Sequence, residues 1–127
     1  MGLFNSILGN AGGMEIHDAE EALKDVLIPG ENVEMAYKLV RDMIIFTDHR
    51  LILIDKQGVT GKKTEYKSIP FKSISRFSVE TTGHFDLDAE LKIWISSALE
   101  PAEVLTFSKD KHVDDIHKAL AVAVLGK

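Results

Sequence analysis

Hydrophobic and polar positions along the chain change their period twice. Near the N-terminus Leu23, Val26 and Leu27 recur at helical spacing behind an Asp18…Glu21 pair of the capping-box kind, which predicts a short helix over 18–26 closed by Pro29 and Gly30. The period then becomes twofold. Val33, Met35, Tyr37 and Leu39 alternate with polar or small residues, predicting a half-buried strand over 33–39. In "IIFTDHRLILID" two aliphatic runs, 43–47 and 50–55, flank Asp48 and His49, the two residues left for a hairpin corner, where Asp tolerates a positive φ. Further strands are predicted over 64–69 (stopped by Pro70), 75–80, 88–96 and 103–107. The clearest of these is 88–96, with Ala89, Leu91, Ile93 and Ile95 on one face and Glu90, Lys92 and Trp94 on the other. The helical period returns over 110–125, where Asp110 suits the N-cap and Gly126 the stop. Val113, Ile116, Leu120 and Val124 form one stripe there, while Val122 and Leu125 point elsewhere. Seven closely spaced strands with turn signals between them predict a mainly β fold, an antiparallel barrel or sandwich with a helix at each end of the chain.

Composition narrows the function more than the fold. A chain of 127 residues with 45% apolar and 28% charged positions suits one folded domain. It has no Cys, which removes disulfides, thiolate metal sites and a Cys nucleophile and suits a reducing compartment. The net charge of −5 argues against binding to phosphate backbones, so nucleic acid is not an expected partner. No secretion signal and no membrane-spanning stretch is legible, and a cytoplasmic location is expected. Met1 to Ser6 fits the short pattern for myristoylation of Gly2; the favoured reading is a small helix with Leu3, Phe4, Ile7 and Leu8 on one side.

Candidate chemistry is sparse. The five His are scattered, and His112 and His117 are five apart on the last helix, a spacing that does not put them on one face. There is no nucleophile motif and no glycine-rich phosphate loop, so no catalytic residue, cofactor or metal ligand is assigned and the protein is not expected to be an enzyme. Lys62, Lys63, Lys67, Lys72 and Arg76 make a cationic stretch that fits an anionic surface, although Lys on a polar edge strand also serves simply to stop sheets from pairing. Trp94 shares its strand face with polar residues, so it is either partly exposed, as aromatic residues at protein contacts are, or covered by a loop.

"PGENV" before the first strand, "FTDHRLILID" across the next hairpin, "EYKSIPFKSISRFSVETTG" and "FDLDAELKIWIS" resemble the bacterial pleckstrin-homology (PH-like) family, over nearly the whole chain from Leu27 onward. The resemblance implies a seven-stranded antiparallel PH-like barrel or sandwich capped by the C-terminal helix, with residues 1–27 as an N-terminal helical segment and 28–127 as the PH-like domain. It also implies a bacterial domain of uncharacterised function that self-assembles, with a ring as the expected form, and it does not imply an enzyme. Relatives of this fold that bind phosphoinositides use a basic cluster between the first two strands. Here that loop is "LVRD", where Asp42 offsets Arg41, so phosphoinositide binding is not carried over.

Both faces of the central hairpin are apolar, and a small barrel has only one interior. One face therefore needs a cover, from the N-terminal helices or from a neighbouring subunit. Ile44, Phe46, Ile52 and Ile54 are assigned to that outer face and to a contact between copies, with Trp94, Val122 and Leu125 as further contact residues. The expected function is a non-catalytic interaction module that works as a homo-oligomer, and an unknown protein partner is compatible with it. The alternative is a peripheral binder of anionic membranes.

Overall fold

A computed structural model describes residues 16–38, 42–57, 63–81, 88–108 and 112–126. The expectations for Gly2 and the first apolar segment, for residues 39–41, for Lys62 and for Asp110 lie outside them. The elements run α1 (Ile16–Ala22), β1 (Val33–Lys38), β2 (Asp42–Thr47), β3 (Arg50–Gln57), β4 (Lys63–Pro70), a 3₁₀ turn (Phe71–Ser73), β5 (Ile74–Thr81), β6 (Asp88–Ile95), β7 (Glu103–Ser108) and α2 (His112–Leu125). All seven predicted strands are present, within a residue or two of their expected ends. They form an antiparallel four-stranded sheet, β1-β2-β3-β4, and an antiparallel three-stranded sheet, β5-β6-β7. Each belongs to its own compact unit, the first ending at Pro70 and the second beginning at Phe71.

In the first unit the register decides the faces. Ile45 pairs with Ala36 and Ile52, and Met43 pairs with Ile54, so these side chains share one face. That face is covered by α1 and the turns after it, which bring Ile16, Ala19, Leu23, Val26 and Leu27 against Val33, Ala36, Ile45, Ile52 and Ile54. Ile44 pairs with Leu53 and Phe46 with Leu51, and these lie on the opposite face. The grouping of Ile44 and Phe46 with Ile52 and Ile54 is therefore corrected. Across a hairpin the facing pairs, not equal parity along the chain, share a side of the sheet. All four are buried within the single chain.

Two other expectations shift for local reasons. The first strand is buried from Val33 to Tyr37, with a register shift between Val33 and Met35 that makes Glu34 the extra residue of a bulge. The bulge turns Val33 to the α1 face while Met35 and Tyr37 line the other, against the simple alternation expected. The first helix starts at Ile16, so Asp18 sits in its first turn rather than at its N-cap. It gives way after Ala22 to tighter turns, closed by Val26 N–H to the Leu23 carbonyl at 2.8 Å and Leu27 N–H to the same carbonyl at 3.0 Å.

In the second unit the alternation holds as expected. Phe77 faces Ile93, Val79 faces Leu91, Leu91 faces Leu105 and Ala89 faces Phe107 on one apolar side. Helix α2 buries Val113, Ile116, Ala119 and Leu120, and sets His117 edge-on to Phe77 with ring centroids 5.6 Å apart. It stops at Gly126, where a Cβ would run into the Val122 carbonyl oxygen that the Gly126 N–H bonds. None of the described helices is long and apolar enough to cross a membrane.

Candidate functional site

Two polar arrangements stand out, one in each unit. The first joins the "PGEN" and "TDHR" segments. Gly30, with φ of 86°, follows Pro29 in a turn closed by the Glu31 N–H to the Ile28 carbonyl at 3.0 Å, the geometry that needs glycine at its third position. This aims the Glu31 carboxylate at the hairpin corner. There Arg50 holds it with two donors, Nε to Oε2 at 2.9 Å and Nη2 to Oε1 at 2.7 Å, and the Thr47 hydroxyl donates to Oε2 at 2.5 Å. Arg50 also donates to the Val26 carbonyl at 2.9 Å and to Ser68 Oγ at 2.8 Å, tying α1's trailing turns and β4 to the same point.

The corner itself is closed by a side chain. Thr47 Oγ1 accepts the N–H groups of His49 at 3.0 Å and Arg50 at 2.9 Å, and neither Asp48 nor His49 takes a positive φ. Asp48 instead clasps Asn32: Asn32 N–H donates to Asp48 Oδ1 at 2.9 Å and Asp48 N–H to the Asn32 carbonyl at 3.1 Å. His49 Nδ1 lies 2.8 Å from the same Oδ1. The hydrogen bond from Arg50 holds the Glu31 carboxyl down at about 2, against the opposing effect of burial. A carboxylate so fully bonded, with no exposed side-chain surface, is a clasp rather than a reactive group.

Glu34, on the bulge beside this clasp, behaves in the opposite way. Burial pushes its carboxyl above the ordinary range, and the charge of Asp48 adds to the effect. A raised folded value means that stability is fully present below the unfolded pKa and is lost as pH rises through the folded one. Glu34→Gln is therefore expected to melt higher than the parent at pH 7, with the gain gone at pH 3, where the parent carboxyl is protonated too. Equal melting temperatures at pH 7 would show that burial of Glu34 carries no such cost.

The second arrangement is the outward face of the three-stranded sheet. Cross-strand pairing sets Arg76 opposite Trp94, and the guanidinium lies 4.3 Å from the ring centroid. The indole N–H donates to the Leu99 carbonyl at 3.1 Å, and Ser75 Oγ donates to the Trp94 carbonyl at 3.3 Å. The chain leaves β6 through Ser96, whose φ of 54° is in the left-handed region, with the Ser96 N–H bonded to the Ser73 carbonyl at 3.0 Å. It returns at Ala102, whose N–H meets the Ile93 carbonyl at 2.8 Å. The loop held in this way leaves Leu99 88% exposed, and Val104, two residues after Ala102, is 48% exposed. Lys92, the cross-strand partner of Val104, reaches Glu80 at 3.1 Å. The result is a half-buried aromatic ring in fixed orientation, stacked by a cation and flanked by exposed aliphatics.

The remaining expected residues are dispersed. In the first unit Lys63 is exposed on β4, and Lys67 lies 4.0 Å from Glu65. In the second, Lys72 is exposed in the 3₁₀ turn and Arg76 is stacked on Trp94. Val122 is half-buried and Leu125 68% exposed at the end of α2. Among the described residues no three His, Asp or Glu side chains group as metal ligands. Sequence reasoning placed Arg76 and Trp94 in two different sites. It missed Leu99 and Val104, for which the signal was an aliphatic residue in a loop and another on the polar parity of a strand. It also left Glu31 and Arg50 unpaired, although both lie inside motifs it singled out.

Two antiparallel sheets of four and three strands, with a short helix before and a long helix after them, define a protein of the pleckstrin-homology-like fold. More particularly, the chain belongs to the bacterial PH domain family, whose profile matches residues 2–124. It is 58% identical over 125 residues to the uncharacterised protein YjqA of Bacillus subtilis (strain 168), covering 98% of this chain and all of that one. Among solved structures, it is similar to a pleckstrin homology domain from Shewanella amazonensis SB2B, with 49% identity and a TM-score of 0.78 over 88% of this chain and 100% of that one. A pleckstrin-homology-domain protein from Shewanella loihica PV-4 gives 44% identity and a TM-score of 0.75, over 89% of this chain and 99% of that one.

Proposed function

We propose that this chain is a non-catalytic interaction module of the cytoplasm that works as a homo-oligomer, its copies joined in a ring. The observation that carries the reading is the Trp94 face: a ring held by Arg76 and the Leu99 carbonyl, beside Leu99 and Val104 left largely exposed. Trp and Arg are the side chains most enriched at the energetic centres of protein contacts, and a rigid one loses little entropy on binding. The absence of Cys suits the compartment. Adsorption on an anionic membrane has less to support it, because Lys67, in the middle of the cationic stretch, lies 4.0 Å from Glu65.

Light scattering across a dilution series tests the reading. The parent is expected at a mass of several chains. Trp94→Ala is expected to weaken self-association by about 2 kcal/mol or more, roughly 30-fold, while keeping the parent's circular dichroism. A parent that stays monomeric at the highest concentration would overturn it.

A further inference from the structure

Of the two outer strands of the four-stranded sheet, β1 is buried from Val33 to Tyr37, whereas β4 is exposed at every position but Lys67 and Ile69. The hairpin corner settles how β4 presents its main chain. The N–H and the carbonyl oxygen of Arg50 both lie within hydrogen-bond distance of Thr47 Oγ1, at 2.9 and 3.2 Å, so both point towards β2. Main-chain groups alternate in direction along a strand. Arg50, Ile52 and Ile54 therefore bond on the β2 side, and Leu51, Leu53 and Asp55 bond on the β4 side, where they meet Ile69, Lys67 and Glu65. Thr64, Tyr66 and Ser68 turn their N–H and carbonyl groups away from the sheet, and among the described residues no strand pairs with them there. Pro70, opposite Arg50, has the same outward parity, so its missing N–H costs the ladder nothing.

An exposed outer strand is ordinarily blunted by shortness, a bulge, a Pro or charged side chains. Strand β4 runs for eight residues in unbroken register with β3, and its one Pro is the last of them. Only charge is left, and charge selects a partner as well as excluding others. Lys63, Glu65 and Lys67 share one face of the strand, with Glu65 4.0 Å from Lys67, so this edge carries an excess of cations in a chain of net charge −5. All three occupy positions that would not be hydrogen-bonded to an added antiparallel strand, where facing side chains approach most closely. Tyr66, 46% exposed, is on the other face, with Ser68, whose Oγ accepts from Arg50 at 2.8 Å.

We propose that β4 is a docking edge for an extended acidic segment of another protein, added to the sheet as an antiparallel strand. The outward main-chain groups of Thr64, Tyr66 and Ser68 hold the segment. Its acidic side chains face Lys63 and Lys67, an uncharged one faces Glu65, and an aliphatic one packs on Tyr66. No residue of the Trp94 face takes part, so this docking stands or falls independently of self-association.

The probe is the labelled peptide Thr-Glu-Val-Thr-Val-Glu-Thr, titrated against the full-length protein. Its glutamates fall opposite Lys67 and Lys63 when its first Val is opposite Tyr66 and its central Thr opposite Glu65. Fluorescence anisotropy is expected to show saturable binding. Residue-resolved hydrogen exchange is expected to slow at the Thr64, Tyr66 and Ser68 amides, with Glu65 and Lys67, already bonded to β3, unchanged. Tyr66→Pro removes an outward N–H and no bond to β3, and the double change Lys63→Glu with Lys67→Glu alters exposed or half-exposed side chains only. Each is expected to keep the parent's circular dichroism and to weaken binding by about tenfold or more. The charge reversal is also expected to transfer binding to the same peptide with lysines in place of its glutamates. No saturable binding, equal binding of a peptide of the same composition with its glutamates adjacent, or binding that leaves the three outward amides unprotected would overturn the proposal. Slow exchange at those amides before any peptide is added would show the edge already occupied, by this chain or a second copy, and would overturn it too.

Discussion

Arg50→Met is expected to destabilise the protein by about 3 kcal/mol, lowering the melting temperature by roughly 10 °C. The change removes no apolar contact of note. Its effect comes from Glu31, whose side chain has no exposed surface and would lose both Arg50 donors, leaving only Thr47 and the Ile28 N–H to hold its charge. Breaking one side of a buried pair costs more than the pair contributes, because the remaining ion stays desolvated. The same Arg also holds the Val26 carbonyl, so the turns that carry Leu23, Val26 and Leu27 onto the sheet are expected to loosen with it.

Adding Glu31→Leu to Arg50→Met should recover part of the loss, since the orphaned charge is then gone. Acid provides an independent check. With its folded value lowered from 4.5 to about 2, Glu31 contributes stability that is fully present above pH 4.5 and lost as pH falls towards 2. That contribution amounts to roughly 3 kcal/mol. The parent should lose stability steeply through that window and Glu31→Leu should not. A denaturant midpoint for Arg50→Met equal to the parent's, or acid curves of the same slope for parent and Glu31→Leu, would show that the clasp contributes nothing.

Leu120→Asp is expected to abolish folding of the second unit. Leu120 is fully buried on α2, in the stripe with Val113, Ile116 and Ala119. A carboxylate there has no partner in prospect, and removing the aliphatic side chain alone costs about 2–5 kcal/mol. The sum exceeds what a unit of this size can lose. Trp94 is the single Trp of the protein and lies on β6 of this unit, so its fluorescence reports on the unit directly. The variant should show a solvent-exposed emission without denaturant. A cooperative fluorescence transition at the parent's midpoint would mean that α2 does not pack through this residue.

The residues behind these two predictions were not equally legible. Leu120 was on the buried stripe by spacing alone, because a helix repeats every 3.6 residues whatever it packs against. The faces of β6 were legible in the same way. The clasp was not, although "PGEN" and "TDHR" could be singled out as segments. Glu31 and Arg50 are nineteen residues apart, and nothing in the local pattern of either says that they meet. Arg76 and Trp94 were assigned to separate sites for the same reason, since only strand pairing makes them neighbours.

By itself, then, the sequence determined what depends on short-range geometry: seven strands, two helices, the stop at Gly126, and the side-chain alternation of the second sheet. Tertiary structure alone decided which alternating faces coincide. The hairpin pairs Ile45 with Ile52 rather than with Leu51, and one bulged residue at Glu34 moves Val33 to the face opposite Met35. In a period of two, a single-residue offset reverses every side chain that follows. Offsets are set by turn closure and by pairing with a distant strand, through bonds such as those Thr47 makes at the corner, which no local period records.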